Sequence, residues 1–150
     1  MIIEVKSIIE MNAFGKRLAG VLHGGEVIEL IGDVGAGKTT LTKGIAEGLG
    51  VQEEVQSPSF TISRVYPVRD GLHLAHYDFY RLNDAGIMKQ ELDEVVKDQT
   101  TITVVEWGSI VSGILPTDRL TLTIVPPTEQ TRRIIVEAHG PRSQKLEASL

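Results

Sequence analysis

The residues with the clearest chemical meaning form a glycine-rich segment, Gly32-Asp-Val-Gly-Ala-Gly-Lys-Thr39. Gly32, Gly37, Lys38 and Thr39 match the pattern G-x-x-x-x-G-K-[ST], and the segment lies between a predicted strand and a predicted helix. Glycines let backbone N–H groups turn inward, so a phosphate chain would meet several donors and the positive end of the following helix. Lys38 would reach the β- and γ-phosphates, and the Thr39 hydroxyl would ligate Mg²⁺. The segment predicts a nucleoside triphosphate site.

Two carboxylates are candidates for the acids with which a phosphate-loop enzyme holds Mg²⁺ and positions the nucleophile. Glu106 follows the apolar run Ile102–Val105, and Asp78 closes the predicted strand Leu72–Asp78. Carboxylates at the carboxyl ends of strands point into the crevice where such sheets bind ligands. Glu106 could equally be an ordinary strand-terminal carboxylate, and Asp78 could pair with Arg81 or cap the next turn. The residues alone leave open which acid binds metal and which handles water.

Strand periodicity sorts the polar residues around Asp78. Because successive side chains of a strand point to opposite faces, His76, Asp78 and Tyr80 are expected on one face and His73 on the other. The two histidines are therefore not expected to form a metal pair.

Two further features keep more than one interpretation. The hydroxyl-rich segment Ser57–Thr61 could carry a switch that senses the γ-phosphate, although its composition also suits a plain loop. Trp107, the sole tryptophan, follows Glu106. Its ring could stack on a base, pack at an interface or lie in the core.

The elements that must position these groups alternate between strand and helix patterns. The strand patterns are Ile2–Val5, Val27–Ile31, Phe60–Tyr66, Leu72–Asp78, Thr101–Val105, Leu120–Val125 and Arg132–Ala138, and the helical ones are a helix capped by Ser7 and Glu10, Thr40–Leu49 and Gln90–Lys97. Arg69-Asp70-Gly71 predicts a hairpin turn, and the last two strands predict an antiparallel pair at the sheet edge. Gly44 and Gly48 predict a helix face packed closely on the sheet. The fold class expected is an α/β sandwich around a mixed sheet, formed by residues 1–150 as a single domain.

Composition and charge restrict the partners. The chain has 150 residues with 15 Lys and Arg against 20 Asp and Glu, and its formal net charge is −5. Such a balance lacks the basic surface of a protein that grips nucleic acid directly. The absence of cysteine excludes disulfides and thiol nucleophiles. With no apolar run long enough for a membrane span and no signal-peptide pattern, a cytoplasmic protein is expected.

Four motifs together resemble the TsaE (YjeE) family. They are the phosphate loop Gly32 to Thr40, Ser57-Pro-Ser-Phe-Thr61, His76-Tyr-Asp-Phe-Tyr-Arg-Leu82 and Val105-Glu-Trp-Gly108. The family consists of small bacterial ATPases needed to form threonylcarbamoyladenosine at position 37 of tRNAs that read codons beginning with A. The resemblance implies a P-loop NTPase-like three-layer fold with antiparallel hairpin additions. It also implies Mg²⁺-dependent ATP hydrolysis within a complex with the TsaB and TsaD proteins, with tRNA reached only through that complex and no membrane.

The resemblance also assigns roles to residues. Thr39 and Glu106 look like the Mg²⁺ ligands, and Asp78, with Lys38, looks like the group that supports hydrolysis. Ser57–Thr61 resembles the family's switch segment, with Ser59 where threonine is usual. Nucleotide contacts are then expected from Gly32, Asp33, Val34, Gly35, Ala36, Gly37, Lys38, Thr39 and Thr40 of the loop and from Trp107, Arg132 and Ile8, the last two near the adenine.

Two other function classes are weighed against an ATPase. A small-molecule kinase can be nearly this short and shares the loop, but it would need a lid arginine from among Arg64, Arg69 and Arg81. A regulatory GTPase would need an Asn/Thr-Lys-x-Asp segment to read guanine, and the sequence has none.

Overall fold

The computed structural model describes residues 1–56, 62–80, 82, 84 and 86–150. Its strands are β1 (Ile2–Val5), β2 (Val27–Ile31), β3 (Ser63–Pro67), β4 (His73–Asp78), β5 (Thr101–Glu106), β6 (Leu120–Val125) and β7 (Arg132–Ala138). Its α-helices are α1 (Ile8–Ala19), α2 (Lys38–Gly48), α3 (Met88–Lys97) and α4 (Pro141–Ala148), and short 3₁₀ turns cover Arg69–Gly71 and Gly108–Val111. The predicted strands and three predicted helices are confirmed to within a few residues, except that Phe60 and Thr61 lie outside the described residues. Helix α4 was not predicted.

Seven strands of the described chain form one mixed sheet in the order β1-β7-β6-β2-β5-β4-β3. The central strands β6, β2, β5 and β4 run parallel, while β1, β7 and β3 pair antiparallel with their neighbours. The predicted hairpin is therefore β3–β4. The predicted antiparallel pairing of β6 with β7 is confirmed. Their predicted position at the sheet edge is wrong, because the N-terminal strand β1 returns to pair with β7, as in the partners Ile2 and Ile135.

Helices cover both faces of this sheet, which confirms the three-layer α/β architecture. One apolar cluster joins α1 and α2 to one face, with Phe14, Leu41 and Ile45 among its buried members. A second cluster joins α3 to the other face through Leu92 and Val96. Among the described residues, no helix combines the length and the apolar character needed to cross a membrane.

Helices α1 and α2 approach each other very closely. A Cβ atom added to Gly44 would lie 2.4 Å from the carbonyl oxygen of Asn12, and one added to Gly48 would lie 2.6 Å from the Cβ of Ala19. From the other side, a Cβ on Gly15 would lie 2.7 Å from the Leu41 carbonyl oxygen. The predicted packing of the Gly44 and Gly48 face on the sheet is thus wrong. The glycines are needed because this face meets the backbone of a second helix.

The start of α1 shows how local sequence fixes that helix. The Ser7 hydroxyl accepts a hydrogen bond from the backbone N–H of Glu10 at 3.1 Å, as predicted for an N-cap. The Glu10 carboxylate accepts from the N–H of Lys6 at 2.6 Å rather than from that of Ser7. Two hydrogen bonds therefore fix the start of the helix, one between Ser7 and Glu10 and one between Lys6 and Glu10.

Candidate functional site

The phosphate-loop motif forms the turn between β2 and α2. Gly37 has φ 113° and caps the N-terminus of α2, a backbone conformation that favours glycine. Gly32 leaves no room for a side chain, because a Cβ there would lie 2.9 Å from the carbonyl oxygen of Ile124. The loop therefore takes its shape from the glycines that define the motif.

Most of the predicted site residues line one cavity of about 410 Å³ at the carboxyl ends of β4 and β5. The loop contributes Val34, Gly35, Gly37, Lys38, Thr39 and Thr40, and the strand ends contribute Asp78, Tyr80, Glu106 and Trp107. Gly32 and Asp33 line an adjoining hollow of about 250 Å³ that also borders Trp107. The fold thus brings the motif and both candidate acids together.

The two acids are direct neighbours in the sheet. Asp78 and Glu106 are paired residues of the parallel strands β4 and β5, and their side chains share a face. Glu106 is almost fully buried, with 3% of its surface exposed. The Asp78 carboxylate accepts a hydrogen bond from the Tyr80 N–H at 3.0 Å, so it caps the turn after β4 while lining the cavity. The turn-cap interpretation of Asp78 and its place in the site are compatible.

The Lys38 ammonium group contacts the loop and interacts electrostatically with both acids. It donates hydrogen bonds to the carbonyl oxygens of Gly32 and Asp33 and lies 4.4 Å from the centre of the Trp107 ring. Burial lowers the pKa of Lys38, while the carboxylates of Glu106, Asp78 and Asp33 act in the opposite direction. The cation therefore offsets the repulsion between two adjacent carboxylates.

Trp107 has a left-handed backbone conformation and lines the first cavity. Its φ of 55° is uncommon for a residue with a side chain, and the conformation turns the chain sharply after β5. The half-buried ring packs on the Tyr80 ring, with 4.8 Å between ring centres. Of the three alternatives for Trp107, the structure excludes a role confined to the core, because the ring lines the cavity.

A second cavity of about 500 Å³ lies on the other side of the loop and contains the two predicted adenine contacts. Ile8, 74% exposed, borders it from the start of α1. Arg132 borders it from β7 and donates hydrogen bonds to the carbonyl oxygens of Ala36 at 3.0 Å and Gly35 at 3.4 Å. Arg132 therefore braces the phosphate loop as well as lining the cavity.

Sequence reasoning assigned no function to one residue that contacts the predicted metal ligand. His76 is completely buried, and its Nε2 is hydrogen-bonded to the Glu106 carboxylate. Two signals in the sequence pointed to His76: the strand period, which placed it on the face of Asp78, and its position at the start of the motif His76-Tyr-Asp-Phe-Tyr-Arg-Leu82. Nothing in the sequence showed that β5 lies beside β4.

The oxygen donors present suit Mg²⁺. The Thr39 hydroxyl and the Glu106 and Asp78 carboxylates all line the first cavity. Within the described ranges, no group of three or more His, Cys, Asp or Glu side chains could hold a metal ion. Mg²⁺ commonly takes only one or two protein carboxylates and completes its shell with substrate phosphates and water. The residues present therefore fit that ion.

The predicted switch segment Ser57–Thr61 and the candidate lid residue Arg81 lie outside the described residues. Another candidate lid residue, Arg69, lies elsewhere. Its guanidinium donates to the carbonyl oxygens of Gly48 at 2.9 Å and Ala19 at 3.4 Å, where it ties the ends of α2 and α1 together.

Comparisons with known proteins agree with the motif resemblance. The family model "Threonylcarbamoyl adenosine biosynthesis protein TsaE" matches residues 5–134. The tRNA threonylcarbamoyladenosine biosynthesis protein TsaE of Streptomyces coelicolor is 41% identical over 93% of this chain and 98% of its own length. The protein of the same name from Bacillus subtilis is 41% identical over 91% of this chain and 85% of its own length. The crystal structure of Bacillus subtilis YdiB superposes with a TM-score of 0.83 at 36% identity, covering 99% of this chain and 91% of that one.

Proposed function

Because the chain belongs to the TsaE family of tRNA threonylcarbamoyladenosine biosynthesis proteins, we propose that it is a Mg²⁺-dependent ATPase of that pathway. In the proposal it hydrolyses ATP within a complex with TsaB and TsaD, and tRNA is contacted through that complex. The observation that carries the proposal is the single cavity shared by the phosphate loop, Lys38, Thr39, Asp78 and Glu106. Each of these groups has a part to perform in phosphoryl transfer.

Phosphate binding rests on the loop and on Lys38. The N–H groups at the start of α2 attract an anion, because they carry the positive end of the helix dipole. Gly37, the last residue before the helix, has no side chain to cover them and lines the cavity. The Lys38 ammonium would exchange its bonds to the Gly32 and Asp33 carbonyl oxygens for phosphate oxygens. Those carbonyls hold the lysine in place before a nucleotide arrives, so little side-chain freedom is lost on binding.

The acids divide the remaining work. Thr39 and Glu106 would hold Mg²⁺, which when bound neutralises charge on the β- and γ-phosphates. Asp78 would accept a hydrogen bond from the attacking water and orient it, while its own position is fixed by the bond from the Tyr80 N–H. A net charge of −5 suits a subunit that docks on proteins and leaves tRNA to them.

Replacement of Lys38 tests nucleotide binding. A hydrogen bond from a charged donor is worth about 1.5 to 3 kcal/mol, so Lys38→Ala should weaken ATP binding by roughly 10- to 100-fold and reduce hydrolysis. Lys43→Ala is the matched control, because Lys43 lies on the same helix but borders a different hollow. Calorimetric titration and phosphate release measure the two effects. Unchanged binding and hydrolysis in Lys38→Ala would contradict the proposal.

The complex is tested separately. Phosphate release by the protein alone is compared with release in the presence of purified TsaB and TsaD, and stimulation by both partners is expected. High turnover that the partners leave unchanged would contradict action within the complex.

A small-molecule kinase is the second candidate because it would use the same loop. The position of Arg69 at the far ends of α1 and α2 removes one of its three candidate lid arginines. Product analysis separates the two functions, since an ATPase releases free phosphate and a kinase yields a phosphorylated metabolite.

A further inference from the structure

We infer that His76 is a positioning residue that holds the Glu106 carboxylate in the orientation needed to bind Mg²⁺. The inference rests on the proposed function, because it concerns the same metal site. His76 itself does not touch the metal in this arrangement. It acts through its hydrogen bond to Glu106.

The sheet register brings the two side chains together. On the parallel strands β4 and β5, His76 pairs with Val104 and Asp78 pairs with Glu106. His76 is therefore diagonal to Glu106, on the same face and one pleat further from the strand end. The histidine side chain has no exposed surface, and the glutamate side chain is 4% exposed. Water cannot replace this contact without a rearrangement of the core.

The chemistry of the pair fixes which atom is the donor. A carboxylate that ligates Mg²⁺ is ionised and only accepts hydrogen bonds, so in the inferred arrangement the proton is on His76 Nε2. The bond goes to Oε2 of Glu106, which leaves Oε1 as the oxygen free to ligate a cation in the cavity. A buried carboxylate held by one oxygen presents the other in a fixed direction, and this is how metal ligands are commonly oriented.

The other ring nitrogen indicates that His76 is not there for packing. Its Nδ1 is buried and has no hydrogen-bond partner among the residues that the structure describes. A buried polar atom without a partner destabilises the fold, and an aliphatic side chain would avoid that penalty. The neighbouring cluster on this face is apolar, with Leu74 and Val104 among its members. The feature that distinguishes histidine from leucine at this position is the bond to Glu106.

Two amide variants separate donor position from polarity. In His76→Gln the side-chain amide nitrogen falls near the place of Nε2, whereas in His76→Asn it falls near the place of Nδ1 and is too short to reach Glu106. His76→Leu removes the donor altogether. Thr103→Val is the matched control, because Thr103 on β5 is also buried and its hydroxyl also lacks a partner within the described chain.

The measurement is binding, not turnover. ADP affinity is determined by calorimetry in EDTA, and the apparent Kd for Mg²⁺ is then determined on the ADP-saturated protein. Loss of a partner that orients a metal ligand typically weakens metal binding about 10- to 100-fold. His76→Asn and His76→Leu should raise the Kd for Mg²⁺ by that factor and leave metal-free ADP affinity within about twofold. His76→Gln and Thr103→Val should resemble the unsubstituted protein.

The results distinguish this inference from the proposed function. If the unsubstituted protein binds no ADP, the proposed function fails. If it binds Mg²⁺ and ADP but His76→Asn and His76→Gln give equal Mg²⁺ affinities, His76 does not position Glu106. A parallel fall of Mg²⁺ affinity, metal-free ADP affinity and melting temperature in His76→Asn would identify a purely structural residue and overturn the inference. The amide pair decides the question even if His76→Leu does not fold.

Discussion

Replacing Gly44 by alanine should destabilise the protein, although alanine is the better helix former. The new Cβ would lie 2.4 Å from the Asn12 carbonyl oxygen and 3.1 Å from the Asn12 carbonyl carbon and Cα. An ordinary contact between carbon and a carbonyl oxygen is about 3.3 Å or longer, so α1 and α2 would have to separate by roughly 1 Å. All three atoms met by the Cβ are backbone atoms. No side-chain rotation can relieve the overlap.

The magnitude follows from two opposing contributions. Extra volume in a well-packed core costs about 1 to 3 kcal/mol, and a gap of 0.5 to 1 Å between surfaces forfeits roughly a quarter to a half of each dispersion contact. Because two whole helices must move, the upper end of that range applies. The higher helix propensity of alanine relative to glycine offsets about 1 kcal/mol of this loss in stability. The net loss is about 2 kcal/mol, which lowers the melting temperature by about 4 to 8 °C in a chain of this size.

Thermal unfolding followed by circular dichroism measures this change. Gly113→Ala is the control, because a Cβ added there meets no atom within 4 Å. That control should leave the melting temperature unchanged or raise it slightly. Nucleotide affinity is a second measurement on Gly44→Ala, since α2 begins with the candidate site residues Lys38 and Thr39. A melting temperature of Gly44→Ala that rises with alanine's helix propensity would refute the close packing of α1 on α2.

Three further substitutions test contacts around the site and the fold. Arg132→Leu should weaken ADP binding roughly tenfold in calorimetry, because the loop loses its bonds from the guanidinium to Gly35 and Ala36. The control Arg133→Leu removes only an exposed ion pair with Glu4 and should leave ADP binding unchanged. Equal losses of ADP affinity in the two variants would contradict the role of Arg132 in bracing the phosphate loop. Arg119→Met should destabilise the protein by about 3 kcal/mol in urea unfolding, because the buried Glu29 carboxylate loses the Arg119 Nε that now lies 2.9 Å from it and keeps its charge without a partner. Adding Glu29→Gln to this variant should recover part of the lost stability. Burial raises the pKa of Asp118, but hydrogen bonds from Ser143 and Arg142 outweigh it and hold the pKa below 3.8. A carboxyl group whose pKa is lower in the folded state than in the unfolded chain stabilises the fold at pH values above its pKa in the unfolded chain. Asp118→Asn should therefore be less stable than the unsubstituted protein at pH 7. That difference should shrink as the pH falls through the folded pKa of Asp118, and a constant difference would refute this origin.

The sequence was most informative where one short segment determines its own structure. The apolar run of β2, the glycine motif and the start of α2 are contiguous, so local pattern was enough to predict a strand, a phosphate loop and a helix in that order. The capped start of α1 at Ser7 has the same local origin. The order of the motifs further indicated the family, which the family model over residues 5–134 confirms.

Features that depend on distant contacts were missed or misplaced. Helix α4 has only one apolar residue among its buried ones, Leu146, and its start is held by Asp118 from a preceding loop. The face of Gly44 could be identified as closely packed, but its neighbour could not, because glycine spacing is the same whether a sheet or a helix lies opposite. The position of β7 inside the sheet depends on β1, more than a hundred residues away.

The candidate metal site depends on strand register more than on any single residue. His76, Asp78 and Glu106 meet because β4 and β5 run parallel with Asp78 directly opposite Glu106. A slip of one residue would turn His76 and Asp78 to the other face and leave Glu106 buried without a partner. The register is held along both strands by buried apolar pairs such as Leu74 with Ile102 and Tyr77 with Val105. The apolar core therefore aligns the acids and the histidine. A core substitution that loosens this pairing should impair metal binding without touching a ligand.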